Sequence, residues 1–194
     1  NPGVGDEAEY DALVNELHAH GMGQILDVVP NHMGIGESTN SWWMDVLENG
    51  PSSRFAPFFD IDWRPLKVEL ENKVLLPILG QQYGRVLENC ELVLGYEEGA
   101  FFLRYWQTEL PINPRTYVDI LCVPLEQLIA TLGSEHEQVL EYQSIMTGLE
   151  HLPPRTETER AKVIERGREK EILKRRLAAL ADGSREVRAA IERT

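Results

Sequence analysis

Gly21-Met22-Gly23-Gln24-Ile25-Leu26-Asp27-Val28-Val29-Pro30-Asn31-His32-Met33 is the stretch on which the fold of this chain turns. A short apolar run between turn residues is the pattern of a strand buried on both faces of a parallel sheet. Asp27 sits in the middle of that run, where an ionised carboxylate is costly unless it meets a partner or a ligand. Pro30 has no N–H to give to a ladder, so the strand is predicted to stop there and present Asn31 and His32 at its carboxyl end, where barrels and open α/β sheets gather their ligand groups. The plainer alternative is a capped core strand with a histidine on the surface.

Upstream, Asp6 and Glu9 are spaced as a capping box, and Tyr10, Leu13, Val14 and Leu17 form one apolar stripe on a helix that Gly21 ends. Helix, glycine turn and buried strand in about thirty residues make half of a repeating α/β unit. Downstream, a loop leads into Ser41-Trp42-Trp43-Met44-Asp45-Val46-Leu47-Glu48-Asn49-Gly50-Pro51, a short helix stopped by Asn-Gly-Pro. Successive helical side chains point about 100° apart, so one of Trp42 and Trp43 can enter the core while the other faces a ligand. A pair of core tryptophans is the blander reading, and the aromatic, acidic stretch Arg54–Trp63 is equally open between wall and core.

Val74–Leu79, Glu91–Tyr96 and Ala100–Trp106 read as strands, the last two joined by a Glu97-Glu98-Gly99 turn into a hairpin. Beyond Leu110 the prolines at 111, 114 and 124 punctuate a loop, and the rest is helical. A helix with Thr156 as its cap runs to about Asp182, and Ser184 caps a last one.

Charge is unevenly spread within the net −13: residues 1–154 hold 7 Lys/Arg against 24 Asp/Glu, whereas residues 155–194 hold 12 against 8. The acidic part excludes nucleic acid and anionic membrane as partners and leaves a neutral ligand such as a sugar. The basic tail alternates in sign and reads as a solvated helix face. Cys90 and Cys122 make neither a disulfide framework nor a metal spacing, consistent with reduced thiols in a cytoplasmic protein. Neither a signal peptide nor a membrane-spanning run is read in the sequence, and no cofactor or metal motif is present.

Asp27-Val28-Val29-Pro30-Asn31-His32 resembles the first signature of glycoside hydrolase family 13, the α-amylase superfamily, at the end of the third barrel strand. Asn31-His32-Met33, Ser41–Gly50, Phe58-Phe59-Asp60-Ile61-Asp62-Trp63, Lys73–Pro77, Pro114–Tyr117 and Leu152–Glu157 are similar to one branch of it, the maltooligosyl trehalose synthases. The resemblance implies a fold that is α/β and α+β: residues 1–34 a (β/α)8 barrel segment with its second helix and third strand, 35–122 an inserted small domain containing the hairpin, and 123–194 a helical insertion. It implies an enzyme that converts the reducing-end α-1,4 linkage of a maltooligosaccharide into an α,α-1,1 linkage by intramolecular transglycosylation, with the rest of the barrel as this segment's partner.

Carried over by position, His32 corresponds to a histidine that hydrogen-bonds the sugar and Asp27 to an aspartate that organises the site. Asn31 matches an asparagine that binds calcium in many amylases, expected here to make a structural hydrogen bond. Trp42 and Trp43 fall where the branch has aromatic residues near the substrate. The family's nucleophile lies in a Gly-x-Arg-x-Asp segment, and no Arg here has an Asp two positions on. An excised, catalytically inactive fragment is therefore expected, with Gln24–Val29 exposed, rearranged or paired with another copy. Two alternatives stay open: another family-13 α-glucan enzyme, such as an amylase or 4-α-glucanotransferase, and a non-catalytic carbohydrate-binding module.

Overall fold

A computed structural model describes residues 5–27, 33–36 and 40–193. The chain divides into two compact units, residues 1–33 and 34–194.

In the first unit, helix α1 (Glu7–Ala19) begins on the expected capping box: Asp6 accepts from the Glu9 N–H and Glu9 accepts from the Asp6 N–H, each at 2.9 Å. Gly21 at φ +66° follows its end. None of the helix residues is buried, and Tyr10 and Leu13 of the apolar stripe stand about half exposed. The predicted strand does not form over Gln24–Asp27, which has no regular structure; Ile25 is 98% exposed and Leu26 67%. A strand of a parallel barrel is held by its neighbours' N–H and C=O groups, and no strand among the described residues of this unit offers them. Val28, Val29 and Pro30 of that strand lie outside the described residues.

The second unit is mixed helix and sheet. Helix α2 (Ser41–Asn49) is stopped by Gly50 at φ +58°, followed by Pro51. A short helix α3 (Tyr83–Glu88) leads into the hairpin β1 (Leu92–Glu97) and β2 (Ala100–Tyr105). A third strand, β3 (Thr108–Pro111), pairs antiparallel with β2 where a loop was expected, with Tyr105 opposite Thr108. Val74–Leu79 is not a strand: it meets no ladder partner, and Pro77 withholds an N–H from its middle.

Helices α4 (Tyr117–Leu121), α5 (Leu125–Leu132), α6 (Glu137–His151), α7 (Arg160–Gly183) and α8 (Arg185–Glu192) complete the unit. The N-cap of α7 is Glu159, three residues after the predicted Thr156, whereas Ser184 caps α8 as expected and accepts from the Val187 N–H.

One core joins the hairpin to the helices. Phe101 packs edge-on against Tyr117 at 4.9 Å and beside Tyr96 at 5.1 Å, continuous with Leu121, Val139, Tyr142, Ile145, Leu149, Leu177 and Val187. Each such aliphatic side chain contributes about 1.5–3 kcal/mol on leaving water. Residues 35–122 and 123–194 share this core. The buried Tyr142 hydroxyl is tied to backbone, donating to the Leu121 carbonyl at 2.9 Å.

The turn of the hairpin rests on α7. Glu98 (φ +47°) and Gly99 (φ +80°) supply the two left-handed positions of a type I′ turn, the twist that suits a two-residue hairpin. A Cβ on Gly99 would stand 1.9 Å from the Lys174 carbonyl oxygen. Gly99→Ala therefore meets both a strained φ and backbone that cannot yield, and is expected to cost more than about 2 kcal/mol in urea unfolding. Gly84→Ala, where an added Cβ meets nothing within 4 Å, is expected to stay within about 1 kcal/mol of the parent.

Candidate functional site: an aromatic face braced by a buried ion cluster

Asn40 sets the first turn of α2 and with it the two tryptophans. Its Oδ1 accepts from the N–H groups of Trp42 and Trp43 at 3.1 Å each, and its Nδ2 donates to the Gly34 carbonyl at 2.9 Å. Trp43 turns inward, 5% exposed, against Phe59 at 5.1 Å. Trp42 turns outward at 38% exposed, stacked on Phe55 at 4.9 Å with 12° between the planes, and tilted against Phe58 at 5.0 Å. Phe58 is exposed, and the Arg54 guanidinium lies 4.6 Å from the centre of the Phe55 ring. Flat apolar rings beside a guanidinium are the kind of surface on which sugar faces stack. Next to it a cleft of about 730 Å³ is lined by Arg54, Ala56, Phe59, Ile61, Trp63 and Ile164.

Of the other residues singled out from the sequence, Asp27 belongs to the first unit and is exposed, whereas the tryptophans belong to the second. Asn31 and His32 lie outside the described residues. Among the described residues no group of three His, Cys, Asp or Glu could hold a metal ion. No helix among them is long and apolar enough to cross a membrane.

Beneath the aromatic face lies a polar cluster that sequence reasoning missed. Glu48, on the inner side of α2, takes the Lys170 ammonium at 2.6 Å and that of Lys174 as well, both from α7. Lys170 also reaches Glu171 at 3.1 Å and Asp45 at 3.5 Å. Asp45 accepts from Ser53 and from the Asn49 side-chain amide, which pins the residues just after α2. Arg166 is 1% exposed and donates to the Pro153 carbonyl and, at 2.9 Å, to Asn113 Oδ1. The alternating charges of the tail are thus not all solvated: on α7, Arg166 and Lys170 face inward. A charge four positions from the next on an amphipathic helix carries no mark of which face it occupies, and the partner carboxylate lies 122 residues away.

Burial alone would raise the Glu48 pKa, but Lys174 and Lys170 outweigh it and hold the carboxyl below its ordinary value. Burial would depress Lys170, and Glu48 and Asp45 reverse that and hold it above its own. Burial pushes the Arg166 guanidinium down to about 10, still cationic at neutral pH. Glu141 is likewise lowered, by its hydrogen bond from Arg176, and Glu157 by the backbone N–H of Glu159. These displaced carboxyls all move toward the ionised form, the direction of structural pairing and opposite to that of a glycosidase general acid.

Compared with known proteins, part of the chain is similar to enzymes acting on α-glucans. A Mycobacterium tuberculosis protein assigned as a maltooligosyl trehalose synthase is 43% identical over 82 residues, 41% of this chain and 10% of that protein. An intracellular maltogenic amylase of Bacillus subtilis is 39% identical over 66 residues, 34% of the chain and 11% of the enzyme. A cyclomaltodextrinase of Geobacillus thermopakistaniensis is 36% identical over 69 residues, 36% of the chain and 11% of the enzyme. No family model matches, and no solved structure does. The chain is related to the α-glucan enzymes of glycoside hydrolase family 13. Within that class its relatives include both a trehalose-forming synthase and maltogenic amylases, and it spans about a tenth of the length of each relative it matches.

Removing one partner from the cluster leaves a buried ion uncompensated. Glu48→Ala is expected to cost about 3–5 kcal/mol, read by urea unfolding. The pH dependence has a sign at each end. A depressed Glu48 stabilises the fold above its unfolded pKa of about 4.3 and loses that contribution as pH falls through the still lower folded value; a raised Lys170 stabilises below about 10.4 and loses it as pH rises through the higher folded value. The acid side is the diagnostic one, because on the basic side the depressed Arg166 opposes Lys170: stability is expected to fall as pH drops below about 4, with that limb shallower in the Glu48→Ala variant by thermal unfolding across pH.

Proposed function

We propose that this chain forms part of the substrate-binding region of a family-13 α-glucan enzyme, a maltooligosyl trehalose synthase. The observation that carries the reading is the outward aromatic face of Trp42, Phe55 and Phe58, with Arg54 over it, on a chain related to enzymes of that class. Converting a reducing-end α-1,4 linkage to α,α-1,1 releases a glucose that must be turned and recaptured before water intervenes, so the sugar units near the cleavage point need flat faces to lean on and a site closed to solvent. In this reading Trp42 and the phenylalanines supply those faces, and Trp43 anchors their helix. Asp27, Asn31 and His32 are proposed as further substrate-binding residues, His32 as a hydrogen-bonding partner of the sugar. The ligand is a neutral maltooligosaccharide, in keeping with the acidic first 154 residues, and the remaining machinery comes from the rest of the barrel. The proposed reaction needs no cofactor.

The second reading, a maltogenic amylase-like enzyme, is favoured by the similarity to the Bacillus enzymes. Maltopentaose separates the two when given to the enzyme that contains this segment: a synthase lowers reducing ends with little free glucose, whereas an amylase raises them. The present chain alone is expected to turn over no maltopentaose.

Binding is tested directly on this chain. Titrated with maltotriose and followed by tryptophan fluorescence and by NMR, Trp42→Ala is expected to weaken affinity about tenfold, because it removes one aromatic stacking surface. An unchanged affinity would remove the aromatic face from the binding surface.

A further inference from the structure

Between α2 and α7 lies a cavity of about 470 Å³, lined among others by the cations Arg54, Arg166, Arg168 and Lys170 and by the carboxylates Asp45 and Glu171. Its size falls in the range of small-molecule sites, about 300–1,000 Å³. Lys170 answers both of those carboxylates, Asp45 at 3.5 Å and Glu171 at 3.1 Å, besides Glu48 at 2.6 Å. The guanidiniums are left without a carboxylate from the cavity wall. Arg166, 1% exposed, gives its terminal nitrogens to neutral oxygens, the Pro153 carbonyl and Asn113 Oδ1. Arg168 gives its Nε to Glu169 at 2.8 Å, a residue outside the lining, and its terminal nitrogens have no partner among the described residues. Arg54 has neither an ion pair nor a side-chain hydrogen bond among them; its guanidinium lies 4.6 Å from the centre of the Phe55 ring.

Charge narrows what such a cavity takes. Positive groups drawn together in a partly buried place are costly until a counter-charge joins them. Burial depresses Arg166, Glu48 opposes that, and the nearby guanidiniums of Arg155 and Arg115 depress it further, so more positive charge crowds this side of α7 than the carboxylates answer. A cation would add to the excess, and a neutral guest would leave it standing. The net charge of −13 acts against polyanions at long range, but screening confines it to about 8 Å at physiological ionic strength, so inside the cavity the nearest side chains decide. Stacking on an aromatic ring occupies the face of a guanidinium and leaves the N–H groups along its edge free to fork onto an oxyanion. Arg54 is placed in that way.

The geometry points to an oxyanion site in this cavity: a phosphate group, free or esterified to a sugar, bound by the edge of Arg54 and the terminal nitrogens of Arg168 within the positive field of Arg166. Only the choice of glucose as the sugar of the ester rests on the function proposed above. Arg54 belongs to the cavity and to the aromatic face alike, whereas Arg168 lines the cavity and takes no part in that face, so Arg168 separates the two sites.

The experiment is an NMR titration of the whole chain with inorganic phosphate, with glucose 1-phosphate and with D-glucose, at an ionic strength held constant with sodium chloride. Both phosphates are expected to move the amide signals of Arg54, Gly167 and Arg168 saturably, and D-glucose to leave them in place. Tighter binding of the ester assigns the remaining volume to a sugar ring; tighter binding of the free ion assigns the site to phosphate itself. Arg168→Gln, an exposed substitution, is expected to weaken both about tenfold, and Lys162→Gln, which removes an exposed charge of α7 outside the cavity, to leave them unchanged. The inference is overturned if neither phosphate moves those signals beyond chloride, if Arg168→Gln titrates like the parent, if Lys162→Gln weakens binding equally, or if D-glucose moves the same signals as strongly. Trp42→Ala keeps the two proposals apart, being expected to retain the phosphate response while weakening maltotriose. A parent that binds maltotriose through Trp42 yet shows no phosphate response ends this inference and leaves the aromatic face intact.

Discussion

Everything that gives this chain a recognisable surface hangs on Glu48. A carboxylate 6% exposed is tolerable only because two ammonium groups from α7 close on it, and that closure sets α2 against the long helix. With α2 fixed, its two faces acquire different jobs. Trp43 enters the interior, Trp42 is left outside on Phe55, and Asp45 holds the turn that brings Arg54 over the same ring. The ion cluster is thus a positioning device whose contribution is geometry more than net stability, since a buried ion pair roughly repays its own desolvation.

The local signals were legible because each is carried by neighbours in sequence. The Asp6/Glu9 box, the Asn-Gly-Pro stop after α2, the hairpin around Glu98-Gly99 and the Ser184 cap all stand where the residues place them. The opposite facing of Trp42 and Trp43 follows from helical spacing alone; which of them faces out does not. The misses share a cause. Strand β3 follows a turn in which Trp106 takes φ +53°, so the usual glycine was missing and nothing announced the reversal. Val74–Leu79 has a strand's composition and no ladder partner, and composition cannot supply one. Arg166 and Lys170 look solvated in sequence because their partners, Asn113 and Glu48, are distant along the chain.

The relation to α-glucan enzymes and the physical reading meet at one place. Sugars offer a recognising protein apolar ring faces, and the second unit exposes aromatic rings of that kind in Trp42 and Phe58. The aromatic face is open, and the cavity between α2 and α7 is lined by groups of both signs. Within the cluster Lys170 and Lys174 are engaged by Glu48, and Arg166 by the Pro153 carbonyl, so these inner cations find partners within the protein itself.

The span between Glu48 and Lys170 has a kinetic meaning. Helices α6, α7 and α8 meet through short connections, whereas α2 joins them only by closing a loop of more than a hundred residues. Closing a longer loop costs more chain entropy and is the later event on folding, and the same asymmetry makes α2 the cheaper element to release from an intact helical core. The helix that carries Trp42 is therefore expected to dock on α7 late in folding and to part from it early. Amide hydrogen exchange would register this as protection in α2 that fails ahead of protection in α7, which ties exposure of the aromatic face to partial opening and not to the stability of the whole molecule.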